Sequence, residues 1–370
     1  MTRYLAAPAD SPSAPRIAGV VLLNLGTPDA PTKPALKRYL GEFLSDPRII
    51  EGPAWWRWIL LHGVILRLRP VRSARLYARI WDNRGSPLLF NTEDLARNLE
   101  SALHARRSGP IVVRAAMRYG SPSLAAVLRG LAAMDLQRLL VLPLFPQYSA
   151  TTTASGLDAL ASELARWRRL PEVRTIGGYH DDPRYIEALA RRVEAHWQRE
   201  GRAEKLLLSF HGIPERYVRA GDPYFHQCHA TARLLRERLG VDPDTVTVAF
   251  QSRVGRAKWL RPYTDETLAR WVGEGVRAVQ VLCPGFAVDC LETLEEVALR
   301  YREQFLTAGG ERFEYIPALN AGLDHAALLA DLVLRHASGW PEFDAGFNPA
   351  RETAQREAER KHRADFDARR

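Results

Sequence analysis

Short apolar runs rich in Val, Ile and Leu alternate with amphipathic segments along most of the chain, and this alternation most constrains its fold. Eight such runs read as buried strands, starting near Ile17, Ile111, Arg138, Val173, Lys205, Val246, Arg277 and Arg312. Because parallel strands need a crossover between them, usually a helix, the pattern predicts parallel sheets with helices on both faces. We therefore expect an α/β protein built from Rossmann-like, doubly wound sheets.

The eight runs fall into two groups of four with similar spacing. Successive starts are roughly 94, 27 and 35 residues apart in the first group and roughly 41, 31 and 35 in the second. This spacing predicts one architectural unit used twice, at residues 16–180 and 181–320, with the two domains facing a cleft. The longer first interval predicts an insertion in the first domain at about residues 40–89, here called the lip.

The ends of the chain have a different composition. Residues 1–15 are rich in Pro, Ala and Ser and lack the apolar segment of a secretory signal, which predicts a disordered lead. Residues 321–340 contain an amphipathic segment that we expect to dock back as a helix. Residues 341–370 are densely charged and predict a solvated or disordered tail.

Cysteine usage and glycine spacing exclude several classes of site. The three cysteines, Cys228, Cys283 and Cys290, form no CxxC pair and are too few to hold an iron–sulfur cluster alone. They favour a reducing, cytoplasmic setting, and no tightly bound cofactor is expected. The GxGxxA match at residues 273–278 precedes a strand, whereas a dinucleotide fingerprint follows one. A nicotinamide dehydrogenase is therefore not expected.

The net charge of +9 is concentrated in the lip. Residues 53–79 contain no acid and six arginines, at positions 57, 67, 69, 72, 75 and 79. An apolar run from Trp55 to Leu68 is too short and too charged to span a bilayer. Its tryptophans and arginines favour peripheral contact with a membrane surface, and a buried amphipathic helix is the alternative. Because the aromatics lie among aliphatic side chains, we do not expect nucleic-acid binding.

Candidate chemistry lies where strands end, since ligands of open parallel sheets bind at the carboxyl ends of the strands. Gly212 and Pro214 follow His211 and predict a turn that holds its imidazole at a strand end. That placement suits a general base or a metal ligand, and a histidine bonded to its own turn is the alternative.

A second strand end precedes a row of acids. After Pro284 the sequence predicts an α-helix with Asp289, Glu292 and Glu296 on one face. Three stacked carboxylates beside a histidine suit a cation or proton path, and a solvated face near a helix N-terminus is the alternative.

Nine motifs spread over residues 17–334 resemble those of the ferrochelatase family. They are LLNLGTP (22–28), RGSPL (84–88), MRYGSP (117–122), LPLFPQYS (142–149), SFHGIPERY (209–217), GDPY (221–224), FQSRVG (250–255), WLRPYTDETL (259–268) and CPGFAVDCLETLEE (283–296). The resemblance implies an enzyme that inserts ferrous iron into protoporphyrin IX with release of two protons, the last step of haem synthesis. The family's two-domain, cluster-free bacterial form agrees with the spacing and the cysteine count.

The resemblance also implies roles for individual residues. His211 and Glu292 match the metal and proton-abstraction site, and Asp289 and Glu296 match an acidic path leading away from it. The positions implied near the porphyrin are Leu25, Ser86, Arg118, Tyr148 and Ser252. A chelatase for another porphyrin, such as coproporphyrin III, and a non-catalytic tetrapyrrole-binding protein stay open as alternatives.

Overall fold

The structure is a computed structural model that describes Tyr4, residues 16–255 and residues 257–368. Apart from Tyr4, the lead predicted at residues 1–15 lies outside the described residues.

Two four-stranded parallel sheets form the centre of the molecule. The first has the order β2-β1-β3-β4, from β1 (Ile17–Thr27), β2 (Ile111–Gly120), β3 (Leu136–Pro143) and β4 (Glu172–Thr175). The second has the order β6-β5-β7-β8, from β5 (Lys205–His211), β6 (Val246–Gln251), β7 (Ala278–Leu282) and β8 (Arg312–Ile316). Each sheet places its first and third strands at the centre, so one topology is used twice. The predicted class of two parallel α/β units is confirmed.

Helices connect and cover these strands. The α-helices are α1 (Lys33–Ser45), α2 (Ala54–Leu60), α3 (Leu66–Ile80), α4 (Pro87–His104), α5 (Leu124–Ala132), α6 (Ser155–Leu164), α7 (Pro183–Glu200), α8 (Glu215–Arg219), α9 (Tyr224–Leu239), α10 (Thr264–Gly273), α11 (Arg302–Thr307), α12 (Leu323–His336) and α13 (Pro349–Asp367). Three π-helical segments are π1 (Leu61–Ile65), π2 (Ala150–Ala154) and π3 (Glu292–Tyr301). The 3-10 turns are Pro243–Thr245 and Pro341–Phe343.

Successive side chains of β1 pack into different cores on the two faces of the first sheet. In β1, Val20 and Leu22 contribute to a core that also contains α4 residues, whereas Val21 and Leu23 contribute to a second core with α5 and α6. Successive side chains of a strand point to opposite faces, so helices cover both faces of the sheet. The core on the α4 side continues into the second sheet through Phe210 and neighbouring apolar residues. The two sheets therefore share one apolar core.

The lip folds into α2, π1 and α3 and has a small core of its own. Leu61, Leu66 and Tyr77 are buried there against α1. Trp55 and Trp58 point outward and are 67% and 63% exposed. The segment thus buries one apolar face on the body and leaves another in solvent, which differs from a fully buried amphipathic helix.

Residues 349–367 of the charged tail form the helix α13, whereas the sequence predicts a solvated or disordered segment at 341–370. Asn348 caps the N-terminus of α13 by accepting from the Ala350 and Arg351 amides, and Pro349 occupies the first turn. Arg356 pairs with Asp135 at 3.1 Å, which ties the helix to the first sheet. Capping and ion pairing stabilise a segment that has too few apolar residues to be recognised as a docked helix from its pattern.

Candidate active site

His211 is the last residue of β5, and its imidazole is half-buried at the carboxyl edge of the second sheet. Its ring lies between Trp259 and Phe286, with centroid distances of 6.5 and 6.4 Å. Nδ1 lies 2.7 Å from the Gly212 carbonyl oxygen. Because a carbonyl can only accept, Nδ1 carries the proton of this bond, and Nε2 of the neutral ring keeps its lone pair. The lone pair is free to take a proton or a metal ion.

Gln251 connects the strand bearing His211 to the helix bearing Glu292. The two residues His211 and Gln251 are paired in register between β5 and β6. The Gln251 side chain is buried, accepts from the Ser209 hydroxyl at 2.7 Å, and donates to the Glu292 backbone carbonyl at 3.0 Å. One amide side chain therefore joins the His211 strand to the first turn of π3.

The Glu292 carboxylate is half-buried and faces the lip side of the site. Burial raises the pKa of the Tyr39 and Tyr77 hydroxyls and of the Cys290 thiol, and the negative charge of Glu292 raises each further. These three groups consequently stay protonated near neutral pH.

Asp289 lies outside the helix, which differs from the predicted arrangement of three acids on one α-helical face. The helix is π-helical and begins at Glu292, after a Pro-Gly turn and an irregular segment. The Asp289 carboxylate accepts from the Tyr315 hydroxyl at 2.6 Å, from Asn320 Nδ2 at 2.6 Å and from the Thr293 hydroxyl at 3.0 Å. These hydrogen bonds connect Asp289 to Thr293 in π3, to β8 and to the loop that follows β8.

Asn320 is in turn held by a buried histidine. His325 Nδ1 lies 2.7 Å from the Asn320 carbonyl oxygen, and among the described residues its Nε2 has no hydrogen-bond partner. Complete burial lowers the pKa of His325 from 6.5 to about 4. The neutral ring thus forms part of the support beneath Asp289.

His325 should make the folded state less stable as the pH is lowered. Between the ordinary value of 6.5 and about 4 the unfolded chain binds a proton that the folded chain does not, so the folded state loses stability as pH decreases. We expect a loss of about 2 kcal/mol between about pH 7.5 and about pH 5. The unfolding free energy is measured with denaturant at both pH values. In His325→Gln, the contribution of this histidine to the pH dependence of that free energy should vanish. The exposed His62→Gln should keep it, and an unchanged slope in His325→Gln would contradict the assignment.

Glu296 continues along π3 and is also buried. Its carboxylate accepts from the hydroxyls of Ser252 and of Tyr301, the latter at 2.8 Å, and pairs with Arg300 at 3.1 Å. Two of the predicted site residues, Ser252 and Glu296, are therefore in direct contact. Ser252 has a positive φ of 67°, an uncommon backbone conformation for a residue other than glycine, and it directly follows Gln251.

The other predicted porphyrin contacts are Leu25, Ser86, Arg118 and Tyr148. Leu25 is half-buried against the lip core, and Ser86 is buried and accepts from the Thr27 hydroxyl at 2.8 Å. Arg118 donates to Asp46 at 2.6 Å, and Tyr148 is half-buried with its amide bonded to Gln227. The structure shows no direct contact from Arg118 or Tyr148 to His211 or Glu292 among the described residues.

Sequence reasoning missed Gln251, Glu295 and Arg79. Gln251 lies inside the FQSRVG motif and at a strand end, which is the signal that could have found it. Glu295 is buried and pairs with Arg79 of α3 at 2.8 Å. Arg79 and Glu295 are 216 residues apart, so no local sequence pattern relates the two side chains. In residues 16–255 and 257–368 no group of three or more His, Cys, Asp or Glu residues is arranged to hold a metal ion.

Comparison with known proteins decides the family. The sequence pattern of ferrochelatase matches residues 17–337. The chain belongs to the ferrochelatase family. A ferrochelatase of Methylibium petroleiphilum is 56% identical over 322 residues, covering 87% of this chain and 88% of that protein. A ferrochelatase of Teredinibacter turnerae is 53% identical over 348 residues, covering 94% of this chain and 93% of that protein.

A solved structure supports the fold separately. SirB from Bacillus subtilis with Fe3+ aligns with a TM-score of 0.50 at 15% identity, covering 70% of this chain and 96% of SirB. At that identity the likeness concerns the fold alone. With ferrochelatases at more than half identity over most of the chain, the protein is an enzyme, a porphyrin metal chelatase of haem synthesis.

Proposed function

We propose that this chain inserts ferrous iron into protoporphyrin IX at a site formed by His211 and Glu292. The observation that carries the proposal is the Gln251 connection, which joins the strand end of His211 to the first residue of π3. An imidazole with a free lone pair and a carboxylate on neighbouring elements supply the donors that Fe(II) accepts, and leave coordination positions for the pyrrole nitrogens. Iron enters as a substrate and leaves within the product.

The reaction replaces two pyrrole protons by one divalent cation, so the site has to accept protons. We assign the first proton to Nε2 of His211, and the second proton or the incoming iron to the Glu292 carboxylate. Glu296, further along π3, extends the route away from the ring, whereas Asp289 supports the start of π3 with its hydrogen bonds. Charge is then moved along one helix while the porphyrin stays in place.

The porphyrin is proposed to lie between the lip and the second sheet. Leu25 supplies an apolar contact at the end of β1, and Ser86, Tyr148 and Ser252 supply polar contacts around the ring. Arg118 is proposed as a propionate partner, and a propionate would share its guanidinium with Asp46. Hydrogen bonds and the charge of Arg118 hold the pKa of Asp46 below its ordinary value although burial raises it, so Asp46 stays charged.

Anaerobic turnover tests the assignment. Purified protein is mixed with ferrous iron and either protoporphyrin IX or coproporphyrin III, and porphyrin fluorescence is followed. Many turnovers with a higher kcat/KM for protoporphyrin IX support the proposal. A preference for coproporphyrin III would correct the substrate, and stoichiometric quenching without turnover would indicate a tetrapyrrole-binding protein.

We further propose that the enzyme works in the cytoplasm with the lip on a membrane surface. Trp55, Trp58 and Leu68 are 67%, 63% and 70% exposed, and arginines of α3 lie beside them. Aromatic and aliphatic side chains with adjacent cations suit the boundary of an anionic bilayer. None of the helices in the described part of the chain is long and apolar enough to cross a bilayer.

Replacing the two most exposed tryptophans of the lip, Trp55→Ser with Trp58→Ser, should weaken binding to anionic vesicles about tenfold. The measurement is co-sedimentation with vesicles containing phosphatidylglycerol, compared with phosphatidylcholine alone. Leu323→Ser is the matched control, because Leu323 is 77% exposed on α12, outside the lip. Equal binding by the double variant and the wild type would count against a membrane-facing lip.

A further inference from the structure

An ion pair between a buried glutamate and a partly exposed arginine connects the lip to the helix that carries Glu292. Glu295 of π3 is 1% exposed, and its Oε1 accepts from Arg79 Nη1 at 2.8 Å. Arg79 lies at the end of α3, and its side chain is 45% exposed. The second Glu295 oxygen lies 3.6 Å from Arg300 Nε. A carboxylate removed from water is thus neutralised by one arginine from the lip and one from its own helix.

The spacing of these pairs depends on the π-helical form. Glu295 meets Arg300, and Glu296 meets the Tyr301 hydroxyl at 2.8 Å; both pairs are five residues apart. In an α-helix, five residues place two side chains about 140° apart around the axis. In a π-helix, residues i and i+5 are about one turn apart, so their side chains lie close together. The two i,i+5 pairs are compatible with the π-helical backbone, and the i,i+4 pair of Arg300 with Glu296 at 3.1 Å accompanies them.

The lip contacts the start of the same helix at two further points. Leu291, directly before π3, packs against the lip core. Tyr77 of α3 lies close enough to Glu292 for its charge to act on the tyrosine hydroxyl. Tyr77 of α3 lies near Glu292, and Arg79 of α3 binds Glu295. The end of α3 therefore lies beside the first turn of π3.

We propose that Arg79 is a positioning residue that fixes Glu292 through Glu295. This inference rests on the proposed function, because it assigns Arg79 an effect only through the catalytic role of Glu292. Without the Arg79 guanidinium, Glu295 keeps the more distant Arg300 as its ion-pair partner among the described residues, and its hydrogen bond to the lip is lost. The Glu292 carboxylate then loses its fixed position relative to His211, and a displacement of this kind lowers the rate of the chemical step.

The first test is Arg79→Gln in the full chain. We expect kcat for iron insertion to fall about tenfold with the porphyrin KM within about twofold, because the contact positions a reacting group. Arg79→Lys should recover most of the activity, since a single hydrogen bond and a charge are needed here. Arg75→Gln removes the same charge from α3 at an exposed position, and it should behave as wild type. Should Arg79→Gln fold poorly, Glu295→Gln gives the same readout.

The second test asks whether Arg79 acts through Glu292. In a Glu292→Gln background, adding Arg79→Gln should lower kcat no further, because residues that act as a unit are not additive. The same tenfold loss in both backgrounds would overturn the inference while leaving the role of Glu292 intact. Full activity of Glu292→Gln alone would overturn the proposed site and the inference together. Thermal unfolding of each variant separates these outcomes from loss of fold.

Discussion

His211→Ala should lower kcat for iron insertion by at least about 100-fold while the protein stays folded. The variant removes the Nε2 lone pair that is proposed to accept a pyrrole proton. It also removes the ring between Trp259 and Phe286, but the Gly212 amide keeps its bond to the Gln251 carbonyl at 2.8 Å. The turn after β5 is therefore retained. Initial rates with saturating porphyrin and ferrous iron measure the effect.

His104→Ala is the matched control for this variant. His104 also bonds a backbone carbonyl through one ring nitrogen, at 2.8 Å to Ile111, but it lies at the amino end of β2, away from the strand ends that carry the site. Its loss should cost stability without a comparable loss of rate. Added imidazole should restore part of the activity of His211→Ala. Activity of His211→Ala within about threefold of wild type would refute the general-base assignment.

Glu292→Gln should have the second largest effect, a fall in kcat of about 100-fold with little change in unfolding temperature. The amide keeps the shape of the side chain but can neither take up a proton nor carry the charge that acts on Tyr39 and Tyr77. The Gln251 bond is made to the Glu292 backbone carbonyl and is retained at 3.0 Å. Rates measured against iron concentration separate a loss of metal affinity from a loss of proton transfer.

Glu303→Gln is the matched control for Glu292→Gln, because it removes the same carboxylate charge at another position. Glu303 lies on α11, which continues directly from π3, and its side chain is exposed. It should retain wild-type turnover. If Glu292→Gln and Glu303→Gln were equally active, a solvated acidic face would describe the helix better than a metal path.

The sequence was sufficient to predict the positions of all eight strands, because most are short β-branched or Leu-rich runs within a parallel sheet. The exception to the predicted burial is β4 (EVRT), a mostly exposed strand at the edge of the first sheet. The position of His211 at a strand end followed from Gly212 and Pro214, and the structure places it there. Roles of the site residues were predicted from the motif resemblance together with these positions, and they stay predictions until the variants are measured.

The sequence pattern could not predict the helix type of π3 or the residue at which it begins. Spacing of three and seven residues assumes an α-helix, whereas π3 closes on i+5 bonds and begins after Asp289. Glu295 in π3 contacts Arg79, and Asp289 before π3 contacts Tyr315; both partners are distant in the sequence. No local window contains them, so local periodicity could indicate a helix but not its type.

The shared core of the two sheets has a consequence for how a flat macrocycle reaches its site. Rotating one sheet away from the other would expose a continuous apolar surface, at a cost of about 25 cal/mol for each Å². The lip has a much smaller core, and Arg79 is one of its polar contacts with the rest of the molecule. Displacement of the lip therefore requires less work than a hinge motion between the sheets. We therefore expect any opening of the site to occur at the lip, the segment that carries the exposed Trp55 and Trp58.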